Sequence, residues 1–85
     1  MDTLEIYRER TKKSLIRFFE ENKAIRSSTA FYRFGRGLRR GDFEALVREL
    51  VESGLVDVTD GQQIGTLILV RRAAMDDFMA GRIAE

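Results

Sequence analysis

The sequence predicts a mostly helical α+β domain in the order helix, helix, helix, strand, strand, helix. Three observations lead there. Apolar residues recur every three or four positions through several stretches, the period of an amphipathic helix. From residue 55 to 70 the pattern changes to runs rich in β-branched residues, broken by the turn signal Asp60-Gly61. The whole chain is 85 residues, 44% hydrophobic and 34% charged, which suits one small core and is too short for two domains. Residues 1–85 are therefore read as a single unit.

Leu4, Tyr7, Thr11, Leu15, Phe18 and Phe19 trace the first helical stripe, from residue 2 or 3 to about 22. Asp2 and Thr3 both suit its N-cap, and Glu5 follows Asp2 by three positions. Residues 23–26 read as a connector. Ser27 or Ser28 then caps a short second helix through Phe34, which Gly35 ends. Gly35-Arg36-Gly37 reads as a flexible turn. Asp42 is the expected N-cap of a third helix, with Phe43, Leu46, Val47, Leu50 and Val51 on its apolar face and Ser53-Gly54 as its stop. Residues 55–59 and 64–70 form a β-hairpin joined by Asp60-Gly61-Gln62-Gln63. A last helix occupies residues 73–85, with Met75, Phe78, Met79 and Ile83 on one stripe.

That last stripe has a purpose. Leu67-Ile68-Leu69-Val70 is apolar on both faces of its strand, so something must cover the second face. Either the terminal helix folds back on its own chain or it pairs with a second copy.

Composition removes several classes of chemistry. There is no cysteine and no histidine, so disulfides, thiolate metal sites, a neutral-pH general base and the usual zinc ligand are all missing. Asp57, Asp60, Asp76 and Asp77 lack the spacing of a calcium loop and read as turn and helix-surface residues. Gly35-Arg36-Gly37-Leu38-Arg39-Arg40-Gly41 follows a helix and has no Walker lysine, so it is not a nucleotide loop. Ser27 and Ser28 have nothing nearby to activate them as nucleophiles. The expectation is a protein with no catalytic residues, no metal and no cofactor. The first ten residues carry Asp2, Glu5, Arg8, Glu9 and Arg10, which no signal-peptide core tolerates. The longest apolar run has four residues, against about 20 for a membrane span. Cytoplasmic residence without membrane contact is expected.

Charge is balanced in total and uneven in distribution. The formal net charge is +1. Residues 1–22 hold five basic and five acidic groups, residues 23–41 six basic and no acidic ones, and residues 42–85 four basic and nine acidic ones. Arginine outnumbers lysine 12 to 3, which favours bidentate contact with phosphate, carboxylate or guanine. Phe31, Tyr32 and Phe34 sit among these arginines, a mixture also found where bases stack on aromatic rings. Two of the three are expected in the core, with Tyr32 left exposed.

The stretch Phe43-Glu44-Ala45-Leu46-Val47-Arg48-Glu49-Leu50-Val51-Glu52-Ser53-Gly54-Leu55-Val56 resembles the end of the recognition helix and the first wing strand of winged helix-turn-helix regulators. With the order of elements, the resemblance covers roughly residues 4–72. It implies a three-helix domain with a β-hairpin wing and an added C-terminal helix, duplex DNA as partner, and dimerisation through that last helix. The implied role is a non-catalytic transcriptional regulator or replication accessory factor. Arg33, Arg36, Arg39 and Arg40 would hold phosphates around the turn before helix three, and Ser28 and Thr29 would meet phosphate at a helix end. Arg48 is the candidate base-edge reader, and Arg71 and Arg72 at the wing's base would touch the DNA backbone. A rival reading comes from helix three, which offers Asp42, Glu44, Glu49 and Glu52 against Arg48, while the expected wing tip has no basic residue. These features suit a winged-helix protein-interaction module, an adaptor subunit or a small phage-type inhibitor, meeting a protein partner instead of DNA.

Overall fold

The computed structural model describes residues 2–60 and 67–84, with the backbone alone for 81–84. Helix α1 spans Thr3–Glu21, and the Asp2 side chain accepts a hydrogen bond from the Leu4 amide at its start. Strand β1, Ala24–Arg26, runs directly into helix α2, Ser27–Phe34. Helix α3 covers Arg40–Glu52, followed by strands β2, Val56–Asp60, and β3, Leu67–Arg71. A 3-10 turn, Arg72–Ala74, leads into helix α4, Met75–Ala84. The described residues form a small α+β domain, mostly helical, with four helices and one three-stranded antiparallel sheet among them.

Strand β1 is the element that sequence reading misses. The stretch read as a connector pairs antiparallel with β3, Ile25 opposite Leu69 and Arg26 opposite Ile68. Its three residues show no alternation of their own; the ladder offered by β3 makes them a strand. On the far side β2 pairs with β3, Val58 opposite Leu69, so the order is β1-β3-β2. Two helix starts also differ from expectation. Because β1 feeds α2 without a break, Arg26 is its N-cap and Ser27 and Ser28 are its first helical residues, with no side-chain cap. Asp42 lies inside the first turn of α3, whose N-cap is Arg39. Of the expected wing turn, residues 61–63 lie outside the described residues, as do 64–66 of the second strand and the side chain of Ile83.

The core lies between the helices and one sheet face. Leu15 and Phe19 of α1, Leu46 and Leu50 of α3, and Val56 and Leu69 of the sheet are all at most 2% exposed. Phe31 packs on Phe43 with ring centroids 5.2 Å apart, and Phe18 meets Phe34 at 5.7 Å. Buried Thr11 of α1 donates its hydroxyl to the Phe34 carbonyl at 2.6 Å, fixing the end of α2 against α1.

Strand alternation turns Val70 to the opposite face from Leu69. There Val70 is fully buried within the single chain, Ala74 is 3% exposed, and α4 packs against β3 and the 3-10 turn. The cover that the doubly apolar strand demanded is thus present at Val70 in cis. This removes the reason for requiring a second copy there. No helix among the described residues is long and apolar enough to cross a membrane.

Candidate nucleic-acid interface

The arginines of residues 33–40 reach the surface because α2 and the following turn bury only their apolar residues. At 100° per residue, Ala30, Phe31 and Phe34 share the inner side of α2, while Ser28, Thr29, Tyr32 and Arg33 share the outer side. All four outer residues are exposed, and so are Arg36, Arg39 and Arg40.

Two of these cations are held in place by rings. The Arg33 guanidinium carbon lies 5.0 Å from the Phe34 ring centroid and 5.8 Å from that of Phe18. Arg40 lies 5.8 Å from the Phe31 ring. Such contacts fix a guanidinium without removing it from water, leaving its donors for an anion. Arg36 and Arg39 flank Gly37, whose φ of +86° lets the chain reverse. A β-carbon at Gly37 would come within 2.7 Å of the Tyr7 ring, so only glycine fits between turn and helix. The Arg39 amide donates to the Asp42 carboxylate at 3.4 Å, which explains Asp42's place inside the helix. The first turn of α3 thus begins at Arg40, directly after the exposed Arg36 and Arg39.

A cavity of about 190 Å³ lies between the start of α2 and the start of α3. Ser27, Ser28 and Phe31 form one wall, Arg40, Phe43 and Glu44 the other, with Leu67 at its edge. Ser28 thus lines the same cavity as Arg40, while Thr29 is exposed beside it on α2; neither caps that helix, so the helix-cap argument for them does not apply.

Arg48 is exposed on α3 at the four-residue spacing of Glu44 and Glu52, both also exposed. The acidity of this helix is smaller in effect than it reads from sequence. Glu49 is half-buried and forms an ion pair with Arg8 of α1, and Asp42 serves its own helix start. Beside Arg48 a shallow groove of about 390 Å³ runs between α3 and β2, with Val47, Val51 and Val58 on its floor.

Arg71 and Arg72 are engaged internally. Arg71 donates from Nη1 to the carbonyls of Phe19 at 3.0 Å and Glu20 at 3.4 Å. Arg72 forms a bidentate pair with Asp57, Nε to Oδ2 at 3.0 Å and Nη2 to Oδ1 at 2.9 Å. That hydrogen bond raises the Arg72 pKa above the ordinary arginine value, against a smaller opposing effect of desolvation. Arg71 ends β3 and Arg72 opens the 3-10 turn, and the partners of both were invisible in the sequence.

Tyr32, the aromatic expected to be left exposed, lies on the outer side of α2 with these residues. Arg26, exposed at the N-cap of α2, was signalled only by the acid-free block that includes it. Among the described residues no group of three or more acidic side chains could hold a metal ion. Comparisons with protein-family models, with curated proteins and with solved structures return no match, so the chemistry of this surface is read from its own residues.

Proposed function

We propose that this chain is a winged helix-turn-helix domain that binds duplex DNA without catalysing a reaction, in a regulatory or replication-accessory role. The winged-helix reading is supported by the element order α1-β1-α2-α3-β2-β3 and by strand order β1-β3-β2. The observation that carries DNA binding is the surface from α2 to the first turn of α3. It presents Arg33, Arg36, Arg39 and Arg40 to solvent within a 19-residue stretch that contains no acid. Solubility does not call for such a concentration, and it is the footprint that phosphate contact leaves.

In this mechanism the four arginines neutralise backbone phosphates and set the protein's orientation on the duplex. Ser28 and Thr29 add hydroxyl contacts from the start of α2, and Arg48 reads a base edge from α3. Arg71 and Arg72, being engaged at helix ends, are left out of the contact set. Glu44 and Glu52 limit affinity, so random duplex should bind near the micromolar end of the ~10⁻⁴–10⁻⁶ M range usual for non-specific contacts.

A second reading, the protein-interaction module, draws on the groove between α3 and β2 with its exposed Val58 and acidic borders. Fluorescence anisotropy on random duplex at low and moderate salt decides between them. Binding that weakens steeply with salt supports the DNA reading. A chain that retains no nucleic acid even at low salt overturns it in favour of the protein partner.

A further inference from the structure

Tyr32 has no structural task. It is 89% exposed, while the other exposed large hydrophobic residues among those described lie between 37% and 47%. The phenylalanines of α1, α2 and α3 meet one another in the core, and Tyr7 packs over Gly37. No ring or cation among the described residues stacks on Tyr32, although arginines stack on its neighbours Phe31 and Phe34. Both faces of its ring are open to solvent.

Its surroundings are specific. Ser28 and Thr29 lie one turn before it on the same side of α2, and Arg33 lies beside it. Arg33 is held on the flank that faces α1, over Phe18 and Phe34. Arg40 is held on the opposite flank, over Phe31 at the cavity between α2 and α3. An open aromatic ring thus stands between two positioned cations, in a segment without acidic residues.

We propose that Tyr32 is a stacking platform for an unpaired base, and that the preferred ligand of this surface is DNA in which a single strand adjoins duplex. The proposal rests on the nucleic-acid reading above and makes it narrower. Bases inside a duplex are already stacked on both faces and cannot offer one to a surface ring. A base beyond the last pair can, and any base will serve because every base has a π-face. Arg33 and Arg40 then take the phosphates on either side of the stacked nucleotide, and the remaining arginines follow the adjoining duplex.

The test compares the intact chain with Tyr32→Phe and Tyr32→Ala on two probes at matched salt. One is a blunt duplex, and the other is the same duplex carrying a short single-stranded overhang with 2-aminopurine at its first unpaired position. The intact chain and Tyr32→Phe should prefer the overhang and quench its 2-aminopurine. Tyr32→Ala should lose about 5- to 150-fold on the overhang, the span of one base–aromatic stack, and little on the blunt duplex. Because the ring is exposed, melting temperature should not change. Equal affinity for the two probes, or an equal loss on both in Tyr32→Ala, overturns the stacking role and leaves duplex binding standing. Failure of both probes to bind at low salt overturns both readings.

Discussion

Arg71 and Arg72, adjacent in the chain, serve the carboxyl ends of two different helices. Arg71 donates to the Phe19 carbonyl in the last turn of α1 at 3.0 Å, and Arg72 donates to the Val51 carbonyl in the last turn of α3 at 3.0 Å. Neither helix has a basic residue of its own in its last turn. The end of β3 supplies both cations, satisfying carbonyls and opposing the helix dipoles at once. Arg72 also grips Asp57, so the same side chain joins α3 to β2.

Arg71→Ala should therefore cost stability rather than DNA affinity. Loss of its hydrogen bonds to the half-covered end of α1 is expected to cost about 1–2 kcal/mol. At roughly 4–8 °C per kcal/mol for a domain of this size, thermal melting will show it. Arg72→Ala should lower melting in the same direction. The raised pKa of Arg72 means that its contribution is complete below the ordinary arginine value and is lost only as pH rises through the still higher folded value. The difference in melting temperature between the intact chain and Arg72→Ala should thus stay constant from pH 7 to about pH 10, well below arginine titration. A difference that shrinks over this range would contradict the pairing.

Thr11→Val keeps the shape of a buried side chain and removes its donor. The Phe34 carbonyl loses its 2.6 Å partner at the end of α2, beside the arginine turn. A cost of about 1–3 kcal/mol is expected in urea unfolding, whereas Thr11→Ser should retain most of the stability.

Gly37 and Gly41 should respond to alanine in opposite ways. At Gly37 alanine meets both a φ of +86° and the Tyr7 ring, and the backbone strain alone is worth about 1–2 kcal/mol. Displacing this turn also moves Arg36 and Arg39, so DNA affinity should fall with stability. At Gly41, inside α3, a β-carbon meets nothing within 4 Å. Alanine there should stabilise by about 0.4–1 kcal/mol, and denaturation of the two variants side by side checks both signs.

If Arg33, Arg36, Arg39 and Arg40 each neutralise one phosphate, the slope of log affinity against log salt should be about −3.6. Changing Arg39 and Arg40 together to glutamate should weaken every duplex alike and flatten that slope by about two. Arg48→Ala should instead cost about 1–3 kcal/mol on a preferred site and little on random sequence. Titrations over a salt series distinguish these outcomes, and an unchanged slope in the double variant would remove those two arginines from the interface.

Much of the architecture was present in the sequence wherever the deciding interactions are local. The start of α1 is set by the Asp2 side chain and its end by Asn22, which donates back to the Phe18 carbonyl. The end of α3 is set by Gly54 at a φ of +88°. Apolar spacing identified the inner face of α3, and three- and four-residue spacing within α2 left Tyr32 outside. The acid-free block at residues 23–41 needed only counting.

What tertiary structure alone decided involves partners distant in the chain. Ala24–Arg26 is a strand because β3 presents a ladder some 45 residues later, and no local pattern in three residues can encode that. Arg8 neutralises Glu49 across α1 and α3, which a count of acids on one helix cannot reveal. Arg71 and Arg72 look like surface cations in the sequence, and only the packed helix ends make them caps. Val70 is fully buried within its own chain, where α4 packs against β3. Charge and periodicity are properties of neighbouring residues and can be read along the chain. Pairing of a charge or an edge depends on which distant group packing brings within about 3 Å, and only the folded chain determines that.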